Sequence, residues 1–164
     1  MRFMIIRKAD PNTEAGLLPG REMLAAMGRY HEELVKAGAM LGGEGLRASA
    51  KGTRVNFSKG ELTVTDGPFT ETKEVIAGFL LIEAKSKEEA IAWAKRCPTL
   101  CGAAEVEMEV RQVVEASDFP AEMTPELSGL PWTTVAGQAE QRLRARGQEA
   151  SAMASPNLAR AESK

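Results

Sequence analysis

Apolar and polar positions along the chain change period several times, and each change marks an element. Phe3, Met4, Ile5 and Ile6 run together inside residues 2–7 and predict a buried strand. Asp10 to Gly20 is broken by Pro11, Asn12, Gly16, Pro19 and Gly20, which reads as a loop. From Arg21 to Ala37, Met23, Leu24, Met27, Leu34 and Val35 recur at helical spacing, and Gly38 closes that helix as a left-handed cap. Residues 39–47 hold Gly42, Gly43 and Gly45 and predict a short strand with a bulge. Val55 and Phe57, then Leu62 and Val64, alternate with polar residues about Lys59-Gly60, so 54–58 and 61–65 are expected to pair as a hairpin. Asp66-Gly67-Pro68-Phe69 is a turn whose phenylalanine is expected to anchor in the core. Residues 78–83 predict a strand, and Ser86 with Glu89 is a capping box for a helix that Pro98 stops near Arg96. Residues 105–111 alternate strictly, so that strand has one buried and one wet face.

The resulting order is strand, helix, strand, hairpin, strand, helix, strand. It predicts an α+β fold: a ferredoxin-like antiparallel sheet with both helices on one face and an inserted β-hairpin. The sheet's other face needs a cover, and a second copy of the chain would provide one, so a homodimer is expected. Beyond about Asp118 prolines and alanines replace large apolar residues. The domain is therefore expected over 1–118, with 119–164 a C-terminal extension, partly helical over 134–149 or loosely ordered.

Composition narrows the function by exclusion. Among 164 residues, 43% are hydrophobic and 27% charged, an ordinary soluble balance. The 5% aromatic content argues against a base-stacking platform, and the net charge of −2 gives no field for nucleic acid or an acidic membrane. No apolar window is long enough to span a bilayer, and the opening run of four apolar residues is too short for a signal peptide. A cytoplasmic location is the expectation. Cys97 and Cys101 have no second ligand pair nearby and read as reduced thiols, so no metal and no cofactor is expected.

Two residues could carry chemistry. His31, the only histidine, falls on the core-facing stripe of the first helix. There it is either a core imidazole bonded to a carbonyl or a general base facing a pocket. Asp66 either caps its own turn or faces that pocket. Gly67 allows close backbone approach, Pro68 fixes the chain, and Thr70 to Glu74 form either a solvated loop or the rim of a polar cavity.

The run Val64-Thr65-Asp66-Gly67-Pro68-Phe69-Thr70-Glu71-Thr72-Lys73-Glu74, followed by Gly78 and an apolar strand, resembles the signature of the DGPF group of YCII-related proteins. Gly42-Gly43-Glu44-Gly45-Leu46, Glu88-Glu89-Ala90 and Arg96-Cys97-Pro98 match in order, and the likeness covers roughly residues 1–118. It implies a bacterial protein whose ferredoxin-like subunits pair into a dimeric α/β barrel. It also implies a His–Asp dyad, here His31 and Asp66, of the kind proposed for lyase-like relatives, among them a dehydrochlorinase. Gly67, Pro68, Phe69, Thr72 and Lys73 would then contact a small organic substrate, with Lys73, Thr72 and the Gly67 backbone near an anionic or enolic oxygen. The DGPF group is further linked to extracytoplasmic-function sigma factors, a partner that this chain could meet only in trans. A proton-transfer enzyme, a non-catalytic small-molecule-binding module and a sigma-factor accessory protein all remain open on the sequence.

Overall fold

The computed structural model describes residues 1–69, 74–99 and 105–123. In chain order its elements are β1 (Arg2–Lys8), α1 (Pro11–Glu14), α2 (Arg21–Lys36), β2 (Met40–Gly45), β3 (Thr53–Ser58), β4 (Glu61–Asp66), β5 (Ile76–Glu83), α3 (Lys87–Arg96) and β6 (Met108–Gln112). Contacts divide the chain into two units, Met1–Val113 and Val114–Lys164. Of the second unit, the described residues form 3-10 turns at Ala116–Asp118 and Ala121–Met123. The helix expected over 134–149 lies outside the described residues.

Four strands form one antiparallel sheet in the order β2-β5-β1-β6. β1 and β2 therefore run parallel with β5 between them, as do β5 and β6 with β1 between them. That interleaving of two split βαβ units is compatible with a ferredoxin-like fold. The register places Phe3, Ile5 and Arg7 on the same face as Ile82, Leu80 and Gly78. Phe3, Ile5, Leu80 and Ile82 are buried there against Tyr30 and Leu34 of α2 and Ala90 of α3, so both helices cover that face.

α2 spans the expected residues but turns a different stripe inward. Met27, Tyr30 and Leu34 face the core, whereas Leu24 and Val35 are 58% and 51% exposed. Tyr30 fixes this rotation, because its hydroxyl donates to the Trp93 carbonyl at 2.9 Å and ties α2 to α3. α3 starts as its sequence suggests, with Ser86 accepting from the Glu89 amide at 3.3 Å and Glu89 accepting from the Lys85 amide at 2.7 Å.

Three local readings change. The segment read as a loop over Asp10–Gly20 contains α1, capped by Asp10, which accepts from the Asn12 and Thr13 amides at 2.9 Å each. Pro11 at the first helical position and a capping aspartate outweigh the breakers that follow. The last strand begins at Met108, although the Lys8 amide still reaches the Glu107 carbonyl at 3.0 Å. Strand β5 begins two residues earlier than expected, at Ile76.

Among the described residues β3 and β4 pair only with each other. Lys59 (φ 51°) and Gly60 (φ 83°) both adopt the left-handed conformation that a two-residue hairpin turn of the matching twist requires. Val55 pairs with Val64 and Phe57 with Leu62 on one face, as the alternation predicts. That face is not part of the core: Phe57 is 76% exposed.

Candidate functional site

Glycines open a hollow between α2 and the sheet. On the helix-covered face, β2 contributes Gly43 opposite Leu80 and Gly45 opposite Gly78, so three floor positions carry no side chain. Two of these glycines also permit close strand approach. A Cβ on Gly43 would lie 2.5 Å from Leu80 Cδ2 and 2.7 Å from the Phe79 carbonyl oxygen, and one on Gly78 would lie 2.7 Å from the Glu44 oxygen. Gly45 has open space where its Cβ would be. The cavity is about 850 Å³, within the range of small-molecule sites. Its apolar wall includes Met23 and Met27 of α2, Leu17, Leu46, Ile5 and Leu80.

His31 reaches this cavity from α2, one turn beyond Met27. Its Nε2 is buried and has no hydrogen-bond partner among the described residues. Leaving a buried ring nitrogen unpaired costs about 1–3 kcal/mol, so the atom is poised to gain from a polar contact. Burial holds the imidazole below its ordinary pKa of 6.5, keeping it neutral near physiological pH. The Tyr30 ring lies 6.0 Å away, centre to centre, on the core side. Cys97 lines the same cavity as a free thiol; burial raises its pKa and Arg7 partly opposes that rise. Burial, with Cys97 next, pushes the Tyr30 phenol well above its ordinary range, so it serves as a neutral donor.

Glu14, Arg7, Arg47 and Lys51 also line the cavity. Arg7 pairs with Asp10 at 2.5 Å. Both Glu14 oxygens are engaged by Ser49, one by its amide at 3.0 Å and the other by its hydroxyl. Among the described residues no group of three or more His, Cys, Asp and Glu side chains is placed to hold a metal.

Among the described residues His31 and Asp66 share neither a hydrogen bond nor a cavity wall. Asp66 ends β4, is exposed, and accepts at Oδ1 from the Thr53 hydroxyl at 2.8 Å, closing the base of the hairpin. It is not among the residues lining the cavity, and neither are Gly67, Pro68 and Phe69. Those three form a latch instead. A Cβ on Gly67 would fall 1.9 Å from the Ser49 carbonyl oxygen, so only glycine fits. The Gly67 amide donates to the Gly52 carbonyl at 3.0 Å, and the Phe69 amide to Ser49 Oγ at 3.1 Å. The Gly67–Pro68 peptide is cis. Phe69 does not enter the core as expected; it packs on Gly52 with the Arg54 guanidinium 4.1 Å above its ring. The turn thus grips the 3-10 turn Ser49–Lys51, whose Ala50 and Lys51 form part of the cavity wall. Thr72, Lys73 and Cys101 lie outside the described residues.

The family profile described as the YCII-related domain matches residues 1–117. The chain belongs to that family. This YCII-related protein is also 38% identical, over 72 residues, to the uncharacterized protein R00369 of Rhizobium meliloti (strain 1021). The match takes in 44% of this chain and 56% of the relative, so the chain spans about half of that protein's length.

His31, singled out in the sequence, lies on the cavity wall, whereas Ser49, Glu14 and the glycine floor were not anticipated. Gly43, Gly45 and Gly78 share a face only once β2 and β5 are paired in this register, and the Glu14–Ser49 contact joins residues 35 positions apart. No local pattern carries either.

Proposed function

We propose that this YCII-related protein binds a small organic molecule in the glycine-floored cavity and that His31 is the group that exchanges a proton with it. The observation that supports this reading most is that His31 lines a hollow of about 850 Å³ and carries a buried Nε2 with no hydrogen-bond partner among the described residues. A neutral imidazole there can accept a proton from a carbon or oxygen acid of the ligand. In a lyase-like reaction the proton passes to Nε2. The electron pair left on carbon becomes a double bond as a leaving group departs from the neighbouring atom with its own pair. Asp66 takes no part in this reading; its work is to hold the hairpin base.

Binding without turnover is the second reading. It is favoured by one observation: among the described residues no carboxylate is hydrogen-bonded to His31, so the imidazole lacks the group that would stabilise its charged form. A ligand-observed NMR screen of small organic compounds tests both. Compounds should bind the wild-type protein and lose binding in Gly45→Leu, which fills the cavity floor. New product resonances that vanish in His31→Gln would establish turnover, and compounds recovered unchanged would leave binding alone. Compounds that bind Gly45→Leu as well as wild type would overturn the site.

We also propose that a second copy of the chain covers the sheet's other face. The register puts Met4 and Ile6 of β1 there beside Leu81 and Phe79 of β5, an apolar patch on the side away from both helices.

A further inference from the structure

We infer that the ligand of this cavity is an amphipathic anion: an apolar chain or ring carrying one carboxylate-like group, bound with the anion at the mouth and the apolar body along the floor. The inference rests on the reading of the cavity as a small-molecule site and adds the ligand's chemical class.

It follows from how charge and burial are distributed over the lining. Buried Ile5 and Leu80 and half-buried Met23 and Met27 offer hydrocarbon over a glycine floor, and the His31 Nε2 is the one buried side-chain nitrogen or oxygen left unpaired among the described residues. Such a surface rewards an apolar body and accommodates no charge without a partner. The mouth differs. Arg47 and Lys51 are exposed there, and neither makes an ion pair among the described residues. The other charges of the lining are already committed or aimed elsewhere. Arg7 is neutralised by Asp10, and both oxygens of Glu14 are held by Ser49. Glu44 stands opposite Phe79 in the ladder, which places it on the sheet face away from the helices, while its neighbours Gly43 and Gly45 face the cavity. What remains at the opening is a pair of uncommitted cations above an apolar hollow. An anionic head seated between them keeps much of its hydration, so the attraction is modest and acts as selection among ligands of similar hydrophobicity.

Displacement of the neutral dye Nile red by octanoate, octan-1-ol and octylamine, at constant ionic strength, tests the inference on the full chain. Octanoate is expected to displace the dye at a concentration about fivefold below octanol, and octylamine to be the weakest. The double variant Arg47→Gln, Lys51→Gln alters only exposed side chains. It should erase the preference for octanoate while leaving octanol unchanged. Equal displacement by octanoate and octanol in wild type, or a preference that survives the double variant, would overturn the anion assignment and leave the cavity site standing. Dye and competitors that bind Gly45→Leu as well as wild type would instead remove the cavity site itself, and the assignment with it.

Discussion

The Phe69 amide donates to Ser49 Oγ at 3.1 Å, joining residues twenty positions apart and fastening the Asp-Gly-Pro-Phe turn to the wall of the cavity. Ser49 is 4% exposed, and its own hydroxyl continues to Glu14. The most specific motif in the sequence therefore acts beside the cavity without lining it.

This latch makes Gly67 sensitive to the smallest substitution. Gly67→Ala would place a methyl group 1.9 Å from the Ser49 carbonyl oxygen, and is expected to cost about 3 kcal/mol in urea denaturation. Ser49→Ala strands the Phe69 donor and should cost about 1–3 kcal/mol. A loss below about 0.5 kcal/mol for both, the level of an unremarkable surface change, would mean that the turn is not held as described.

The two floor glycines of β2 should differ in their tolerance of a side chain. Gly43→Ala meets Leu80 Cδ2 at 2.5 Å and the Phe79 carbonyl at 2.7 Å, and is expected to destabilise by about 1–3 kcal/mol. Gly45 has nothing within 4 Å of its Cβ position, so Gly45→Leu should stay within about 1 kcal/mol of wild type while filling the hollow. Thermal and urea unfolding of the pair measure this contrast; similar losses in both would contradict the floor geometry.

Acid should weaken the fold through His31. Its folded pKa lies below the 6.5 it has in the unfolded chain, so between those values the unfolded state binds more protons. The penalty is absent above the unfolded value and grows as pH falls through that window toward the folded one. Wild-type stability is expected to drop from pH 7 to pH 5 more steeply than that of His31→Gln, which carries no titrating group at this position. Parallel pH profiles of the two proteins would show that the imidazole is not buried as described.

A charge on the outer sheet face should separate the proposed dimer. Leu81→Arg lies opposite Met4 in the ladder and away from the helix-covered core. Sedimentation velocity is expected to give a dimer for wild type and a monomer for Leu81→Arg with unchanged circular dichroism. A wild-type monomer at micromolar concentration would rule out the assembly.

Local patterns in the sequence were enough to determine the α+β class and the main strands and helices, though not α1 or the exact starts of β5 and β6, because most of these elements are set by period and punctuation. Alternation at Val55, Phe57, Leu62 and Val64 gave the hairpin arms, Lys59-Gly60 their turn, and Ser86 with Pro98 the limits of α3. Helical spacing gave α2 its length and put His31 near its inward side. Period alone did not settle which stripe of α2 faces in, since that depends on Tyr30 finding the Trp93 carbonyl 63 residues away. The site was legible in part only. His31 could be named, yet its cavity exists because Gly43, Gly45 and Gly78 are brought to one face by strand pairing. Asp66 looked like a partner for the imidazole, and tertiary structure turned it toward Thr53 instead. Residue types and spacings carry what neighbouring atoms can do along the chain; where a carboxylate points, and where a side chain's absence leaves room, is decided by contacts between residues far apart in sequence.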